Sequence, residues 1–270
     1  MVKLIVSDLD GTLLPPDKKI PEETFGLISE LADNGIIFAP ASGRQLPNLK
    51  KLFSPVLDKI AIIAENGGLA WYGGEIIFAD PTPAESVKYA LNILRRHEGL
   101  FPLLSCTDCA YYDSDDQRFI GVLTKSYNRA ERTDDLFRAA EEHTVLKISV
   151  WDEKPCAEHG GVILPPEIKG LRTMISGYDW LDVSVLGANK GKALLALASR
   201  LKVNAKDTVA FGDHMNDLEM LEAAGRAYVT ANAFPALKSR VGEVIPSNAE
   251  YGVITKLKEI LQSAKNKENL

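Results

Sequence analysis

Hydrophobic residues in this chain follow two alternating rhythms. From Lys3 to Ser7 they run almost unbroken and rich in branched side chains. From Pro21 to Asn34 they fall at Phe25, Ile28 and Leu31, the spacing of one helix face, and stop at Asn34-Gly35. Short apolar runs recur at Ile36–Ala39 and Ile60–Ala64, on either side of a helical segment from Leu46 to Phe53. The pattern predicts βαβαβ. Strands this apolar lack a polar face, so they belong in a parallel sheet covered by helices on both sides. Asn66-Gly67-Gly68 and Gly73-Gly74 then punctuate an expected hairpin, Leu69–Trp71 against Glu75–Phe78.

Beyond about Asp80 the texture becomes α+β. Helices are expected at Ala84–His97 and Asp134–His143, with strand-like pieces at Phe101–Cys106 and Leu146–Trp151. The first rhythm resumes at Lys190, with a helix over Gly191–Arg200, a strand over Thr208–Phe211, a helix over Asp217–Ala224 and a last helix over Gly252–Gln262. A second domain, 81–186, is therefore expected as an insertion into a discontinuous first domain, 1–80 and 187–270. Residues Ala264–Leu270 read as a frayed polar tail.

Composition narrows the class without naming a chemistry. With 46% hydrophobic residues, the 270-residue chain has material for a sizeable core, and the net charge of -6 offers no general attraction to nucleic acid or to an anionic membrane. A phosphate-bearing ligand would need a local cationic pocket. No signal peptide or apolar run of spanning length is apparent, and three cysteines fit a reducing compartment, so a cytoplasmic enzyme is expected. Oligomeric state is not legible.

The polar residues at the ends of the apolar runs carry the chemistry. Asp8 and Asp10 follow Leu4–Val6, and ligands of parallel α/β sheets bind beyond the carboxyl ends of strands. Residues two apart on extended chain share a face, so both carboxylates can address one ligand. Gly11 permits a tight turn and Thr12 offers a hydroxyl to brace it. Read alone, the segment is also a plausible polar turn. Gly212-Asp213-His214-Met215-Asn216-Asp217 has the same address after Thr208–Phe211, which makes Asp8 and Asp213 a carboxylate pair for magnesium, with Asp217 in support. Ala41-Ser42-Gly43-Arg44 follows the second run and offers a hydroxyl and backbone N–H groups to a phosphoryl group, although Ser42 alone reads as a helix cap. Lys190 opens a helix, where a cation is unfavourable unless an anion lies beside it, yet a solvated surface lysine is the plain alternative.

Together these four segments resemble the haloacid dehalogenase superfamily, in its Cof-like branch with a large inserted α/β cap. The resemblance spans nearly the whole chain and rests on Asp8-x-Asp10-Gly11-Thr12, Ser42-Gly43-Arg44, Lys190-Gly191 and Gly212-Asp213-x-x-Asn216-Asp217, with Glu65-Asn66-Gly67 after the third strand. It implies a Rossmann-like parallel sheet core. It also implies a phosphatase in which Asp8 is the nucleophile, becoming a phosphoaspartate, and Asp10 the general acid and then base. Mg²⁺ would be held by the Asp8 and Asp213 carboxylates and the Asp10 carbonyl, with Asp217 and Thr12 behind them. Ser42, Gly43, Arg44, Asn66, Lys190 and Asn216 would receive the substrate and its phosphoryl oxygens, on a small phosphorylated metabolite such as a sugar phosphate. Thr230-Ala231-Asn232-Ala233 stands where relatives often show Gly-Asn-Ala, a departure that leaves Asn232 free to touch substrate.

Two other readings share this machinery: a phosphomutase or phosphotransferase using the same phosphoaspartate, and a non-catalytic phosphometabolite-binding regulator. In the insertion, Cys106-x-x-Cys109 and Cys156-x-x-His159 have the spacing of a Cys₃His zinc site, against which stands the tendency of cysteine to be a small buried residue.

Overall fold

The protein is described from a computed structural model, which covers residues 2–268, with side chains given through residue 266. The chain begins β1 (Leu4–Asp8), α1 (Glu23–Asp33), β2 (Ile37–Ala41), α2 (Leu46–Leu52), β3 (Ala61–Ala64), β4 (Leu69–Tyr72) and β5 (Glu75–Ala79). There follow α3 (Ala84–Leu94), β6 (Leu100–Cys106), β7 (Ala110–Tyr112), α4 (Gln117–Ser126), β8 (Ala130–Arg132), α5 (Leu136–Glu142), β9 (Val145–Asp152), α6 (Gly160–Glu167), β10 (Leu171–Ile175) and β11 (Trp180–Val185). The last stretch is α7 (Lys190–Arg200), β12 (Thr208–Gly212), α8 (Leu218–Ala223), β13 (Arg226–Thr230), α9 (Pro235–Lys238), β14 (Glu243–Ile245) and α10 (Gly252–Glu268). Residues through Phe78 and from Asn189 onward make one compact unit, and Ala79–Ala188 make another.

The first unit is built on an eight-stranded sheet in the order β14-β13-β12-β1-β2-β3-β4-β5, parallel from β14 to β3. Its central strands are buried on both faces, which is why they read as continuous apolar runs rather than alternating ones. On one face Leu4, Val6, Ala39, Ile63 and Ala210 pack with Leu194 and Leu197 of α7 and Met220 of α8. The intervening residues Ile5, Phe38 and Ile62 are equally enclosed, with Phe38 against Phe53 and Phe53 against Phe25. Because β1 lies between β2 and β12, the chain segments that leave the carboxyl ends of all three emerge side by side.

The inserted unit carries a six-stranded, mainly antiparallel sheet in the order β10-β11-β9-β6-β7-β8. Leu91 of α3, Leu136 of α5 and Leu164 of α6 cover Leu104, Ile148, Val150 and Val183 on one face. Phe119 and Leu123 of α4 pack with Leu103 and Trp151 in a second cluster. Within this unit Lys147 and Asp182 form a buried ion pair at 2.9 Å, to which Ser149 adds a hydroxyl donor.

The structure changes one expectation and adds to two points that the sequence left open. The helix expected to stop at Gln262 continues to Glu268, because Ala264 is buried and Lys265 pairs with Glu30 of α1 at 2.6 Å; residues 269–270 of the expected tail lie outside the described residues. Strands β13 and β14 lie at one side of the core sheet beyond what the hydrophobic rhythm announced. Their partly exposed positions dilute the apolar signal of a buried strand. The cysteine and histidine spacing in the insertion does not produce a ligand cluster. Among the described residues the single group of three or more such ligand atoms within 4.8 Å of one another is Asp8, Asp213 and Asp217. Cys106, Cys109 and Cys156 are buried, and His159 instead bonds Asp152 at 2.8 Å.

Candidate active site

The site begins where β1 ends. Asp8 pairs in register with Ala41 of β2, and the chain then turns sharply through Asp10, Gly11 and Thr12. Gly11 has φ +88°, and a Cβ there would lie 2.3 Å from Asp213 Oδ2, so a side chain is excluded both by conformation and by the carboxylate that approaches it. Thr12 Oγ1 donates to the other Asp213 oxygen at 2.8 Å, fastening the β1 turn to the β12 turn across 201 residues of sequence. The brace expected of Thr12 is thus made to Asp213.

Lys190 stands at the first position of α7, after Asn189, whose side chain caps the helix by accepting from Lys192 N. It is fully buried, which removes the surface-lysine alternative. Its Nζ donates to Asp8 Oδ1 at 2.5 Å and to Asp217 Oδ1 at 2.6 Å. The anions that the helix-end argument called for are therefore carboxylates of the protein itself. Asp217 turns its second oxygen to the main-chain N–H groups of Asp213 and His214, at 3.0 and 3.1 Å, so both its oxygens are engaged in holding the loop that presents Asp213.

These contacts decide which oxygens remain for a cation. Asp8 keeps one carboxylate oxygen beyond its bond to Lys190, and Asp213 keeps one beyond its bond to Thr12, whereas both oxygens of Asp217 already accept hydrogen bonds. Three carboxylates and one ammonium share the site, so two negative charges are left over when all are ionised. A hard divalent cation with an oxygen-seeking coordination shell fits this donor set in charge and kind. Burial, opposed by Lys190 and reinforced by Asp217 and Asp213, pushes the Asp8 carboxyl well above its usual value. Asp213 is raised by burial and by Asp217, against the Thr12 hydrogen bond and Lys190. Burial acts to lower the Lys190 ammonium, but Asp217 and Asp8 outweigh it, and the lysine is held firmly charged.

The other expected residues line the same strand ends. Ser42 is buried after β2 and accepts at Oγ from Arg44 N at 3.3 Å; helix α2 is preceded by Gln45, so Ser42 is not its N-cap residue. Gly43 lets the Asn66 amide come close, since a Cβ would stand 2.9 Å from it. Asn66, in a left-handed conformation at φ 55°, accepts from Asn216 Nδ2 at 3.3 Å and so links the turn after β3 to the turn after β12. Arg44 reaches back to Asp10 with two bonds, Nε to Oδ2 at 3.1 Å and Nη2 to Oδ1 at 2.7 Å.

Asn232 Nδ2 donates to Gly11 O at 2.8 Å and is in turn fixed by Asn248 N at 3.0 Å, while Asn248 Nδ2 holds Leu14 O at 2.7 Å. Thr230 Oγ1 adds a longer bond to Gly11 O at 3.4 Å. Asn232 thus braces the β1 turn. Asn248 escaped the sequence reading and Thr230 entered it only as part of Thr230-Ala231-Asn232-Ala233, without a role, because only their placement, at the end of β13 and just after β14, distinguishes them.

Comparison with known proteins agrees with this architecture. The sequence model of the haloacid dehalogenase-like hydrolases matches residues 5–257. A Cronobacter sakazakii protein named HMP-PP phosphatase is 31% identical over 243 residues, covering 88% of this chain and 87% of the relative. YkrA of Bacillus subtilis is 31% identical over 268 residues, covering 96% and 97%. A crystal structure from Eubacterium rectale superposes with a TM-score of 0.84 at 28% identity, covering 96% of this chain and 99% of the other.

Proposed function

The chain belongs to the haloacid dehalogenase-like hydrolases, and from that premise we propose that it is a Mg²⁺-dependent phosphohydrolase of small phosphorylated metabolites working through Asp8. The class of enzyme is a phosphoric monoester hydrolase. The observation that carries the finer reading is the enclosure of Asp8 between a fully buried lysine and a second carboxylate, with one oxygen uncommitted, at the end of the central strand.

In the first step an Asp8 oxygen attacks phosphorus and the bond from phosphorus to the leaving oxygen breaks, while Asp10 delivers a proton to that oxygen. In the second, water attacks the aspartyl phosphate, Asp10 takes a proton from it, and the Asp8 carboxylate is restored as phosphate leaves. Lys190, Ser42 and Asn216 compensate charge on the phosphoryl oxygens. Mg²⁺ held by the Asp8 and Asp213 carboxylates and the Asp10 main-chain carbonyl supplies further charge compensation when bound. Asp217 keeps Lys190 and the Asp213 loop in place. A relative named for phosphatase action supports a small phosphorylated substrate.

Phosphate release from a panel of phosphorylated metabolites, with Mg²⁺ and with EDTA, tests the proposal against Asp8→Asn protein. The wild type should turn over at least one ester only with the metal, and Asp8→Asn should be inactive with an unchanged circular dichroism spectrum. Undiminished turnover in that variant refutes the nucleophile.

A further inference from the structure

Arg44 holds Asp10 in a way that leaves half of its guanidinium available. A guanidinium offers its five N–H donors as two usable edges, each able to meet a two-oxygen anion side by side. The bonds to Asp10 consume the edge formed by Nε and Nη2. The edge formed by Nη1 and Nη2 meets no acceptor among the described residues, and the side chain is 31% exposed. The main chain of Arg44 is meanwhile fixed, its N–H on Ser42 Oγ at 3.3 Å and its carbonyl accepting from Glu65 N at 3.2 Å. The guanidinium is thus anchored at its root, oriented by Asp10, and open on its outer edge. A partly exposed ion pair contributes little to folding stability, so the pair with Asp10 matters more for aiming the group than for holding the fold.

The direction of that aim rests on the reading of Asp10 as the residue facing the leaving oxygen. A group clamped to Asp10 then lies on the leaving-group side of phosphorus. Lys190, enclosed with Asp8 and Asp217, lies with the transferred phosphoryl group instead. The two cations address different parts of a ligand.

We propose that the outer edge of Arg44 binds a second anionic group of the substrate, a phosphoryl or carboxylate carried on the leaving side, and that the protein therefore favours organic diphosphates and anion-bearing phosphate esters over simple monoesters. With a diphosphate, the bond between the bridging oxygen and the terminal phosphorus breaks. The terminal phosphoryl group passes to Asp8 and then to water, and the organic monophosphate departs from Arg44. Lysine would serve this role less well, since it is a point charge without a paired edge.

The test compares kcat/KM for methyl diphosphate against methyl phosphate, and for phosphoglycolate against 2-hydroxyethyl phosphate, in wild type, Arg44→Lys and Arg44→Ala. The wild type should favour the anion-bearing member by about 10- to 100-fold, the worth of a paired charge-assisted contact. That preference should shrink in Arg44→Lys; in Arg44→Ala it should vanish for the second pair and fall, for the first, to the intrinsic advantage of a phosphate leaving group. Loosening of Asp10 slows both members of the second pair alike, because both leaving groups are alcohols, and cancels in that ratio; in the first pair, where a phosphate is a far better leaving group than an alcohol, the comparison is carried by the dissociation constants below. An Arg44-dependent preference in the first pair alone identifies a phosphoryl group as the second anion, and one in both pairs extends it to carboxylates. No preference in the wild type, or the same preference in Arg44→Ala, overturns the inference. Calorimetric Kd values for the same ligands in Asp8→Asn protein, with and without Arg44→Ala, give the answer without turnover. Dissociation constants indifferent to Arg44→Ala sink the role of Arg44 even if Asp8 is the nucleophile. Arg44-dependent binding in a wild type that hydrolyses nothing sinks the hydrolase reading and leaves Arg44 standing.

Discussion

Replacing Lys190 by methionine keeps much of the side chain's volume but takes away the cation enclosed between Asp8 and Asp217. Two charge-assisted hydrogen bonds disappear, each worth about 1.5–3 kcal/mol, and two carboxylates are left facing one another in a site from which water is excluded. Two effects moderate the loss: the desolvation cost of the ammonium is also removed, and Asp8, whose affinity for a proton burial already raises, can neutralise itself. The net expectation is a loss of about 3–5 kcal/mol, the usual consequence of stranding a buried charge and a large part of a domain's stability. Urea denaturation in EDTA near neutral pH measures it. The core transition is read from Trp71, the tryptophan of the first unit, in a background carrying Trp151→Phe and Trp180→Phe. Adding Asp217→Asn removes one stranded charge and should return at least about 2 kcal/mol, a coupling within the range for residues in direct contact. If Lys190→Met unfolds at the same urea concentration as its parent, or if Asp217→Asn returns nothing, the ion-pair account of this site is wrong.

Further outcomes follow from neighbouring contacts. Thr12→Val removes the hydroxyl that orients Asp213, and the Mg²⁺ concentration giving half-maximal phosphate release should rise about tenfold, as for other residues that orient a metal ligand; an unchanged midpoint would show the bond to be idle. Because burial raises Asp8 above its usual 3.8, the metal-free folded protein retains a proton that the unfolded chain has lost. That stabilisation is complete below pH 3.8 and disappears as pH rises through the raised value. The Tm of wild type minus that of Asp8→Asn in EDTA should therefore fall with rising pH over this interval, and Mg²⁺ should flatten the trend; a difference that rises with pH would contradict the shift. Gly67→Ala forces a Cβ to 2.2 Å from Asn189 O at a φ of +92°, beside the residue that precedes Lys190. It should cost about 1–3 kcal/mol in urea denaturation and lower turnover with it, and a wild-type unfolding midpoint would refute the packing argument.

The sequence made the strand-end carboxylates legible because a strand buried on both faces must be apolar along its length, so the first charged residues after it mark where it surfaces. Asp8 and Asp10 after Leu4–Val6, and Asp213 after Thr208–Phe211, are read that way, and the structure places them at adjoining strand ends. The alternation of strands and helices likewise declared the α/β core. Strands β13 and β14 were less legible, since β14 lies at the edge and both carry exposed positions that break the continuous apolar run. Arg44 shows the limit from the other side. Its presence beside Ser42 was plain, but whether its guanidinium meets a phosphoryl group or Asp10 depends on the distance between two loops, which no local pattern encodes.

By itself the sequence determined which residue types stand at the ends of which elements, and hence that Asp8 sits where a ligand of a parallel sheet would bind. Only the tertiary structure decided what each of them touches. Lys190 becomes a buried counter-ion through contacts 182 and 27 residues away, Thr12 finds Asp213 across 201, and Asn232 finds Gly11 across 221. The physical reason is that propensity and periodicity are properties of neighbouring residues, whereas burial and charge pairing depend on strand order. Strand order sets β1 between β2 and β12, and so brings distant polar turns within hydrogen-bonding distance.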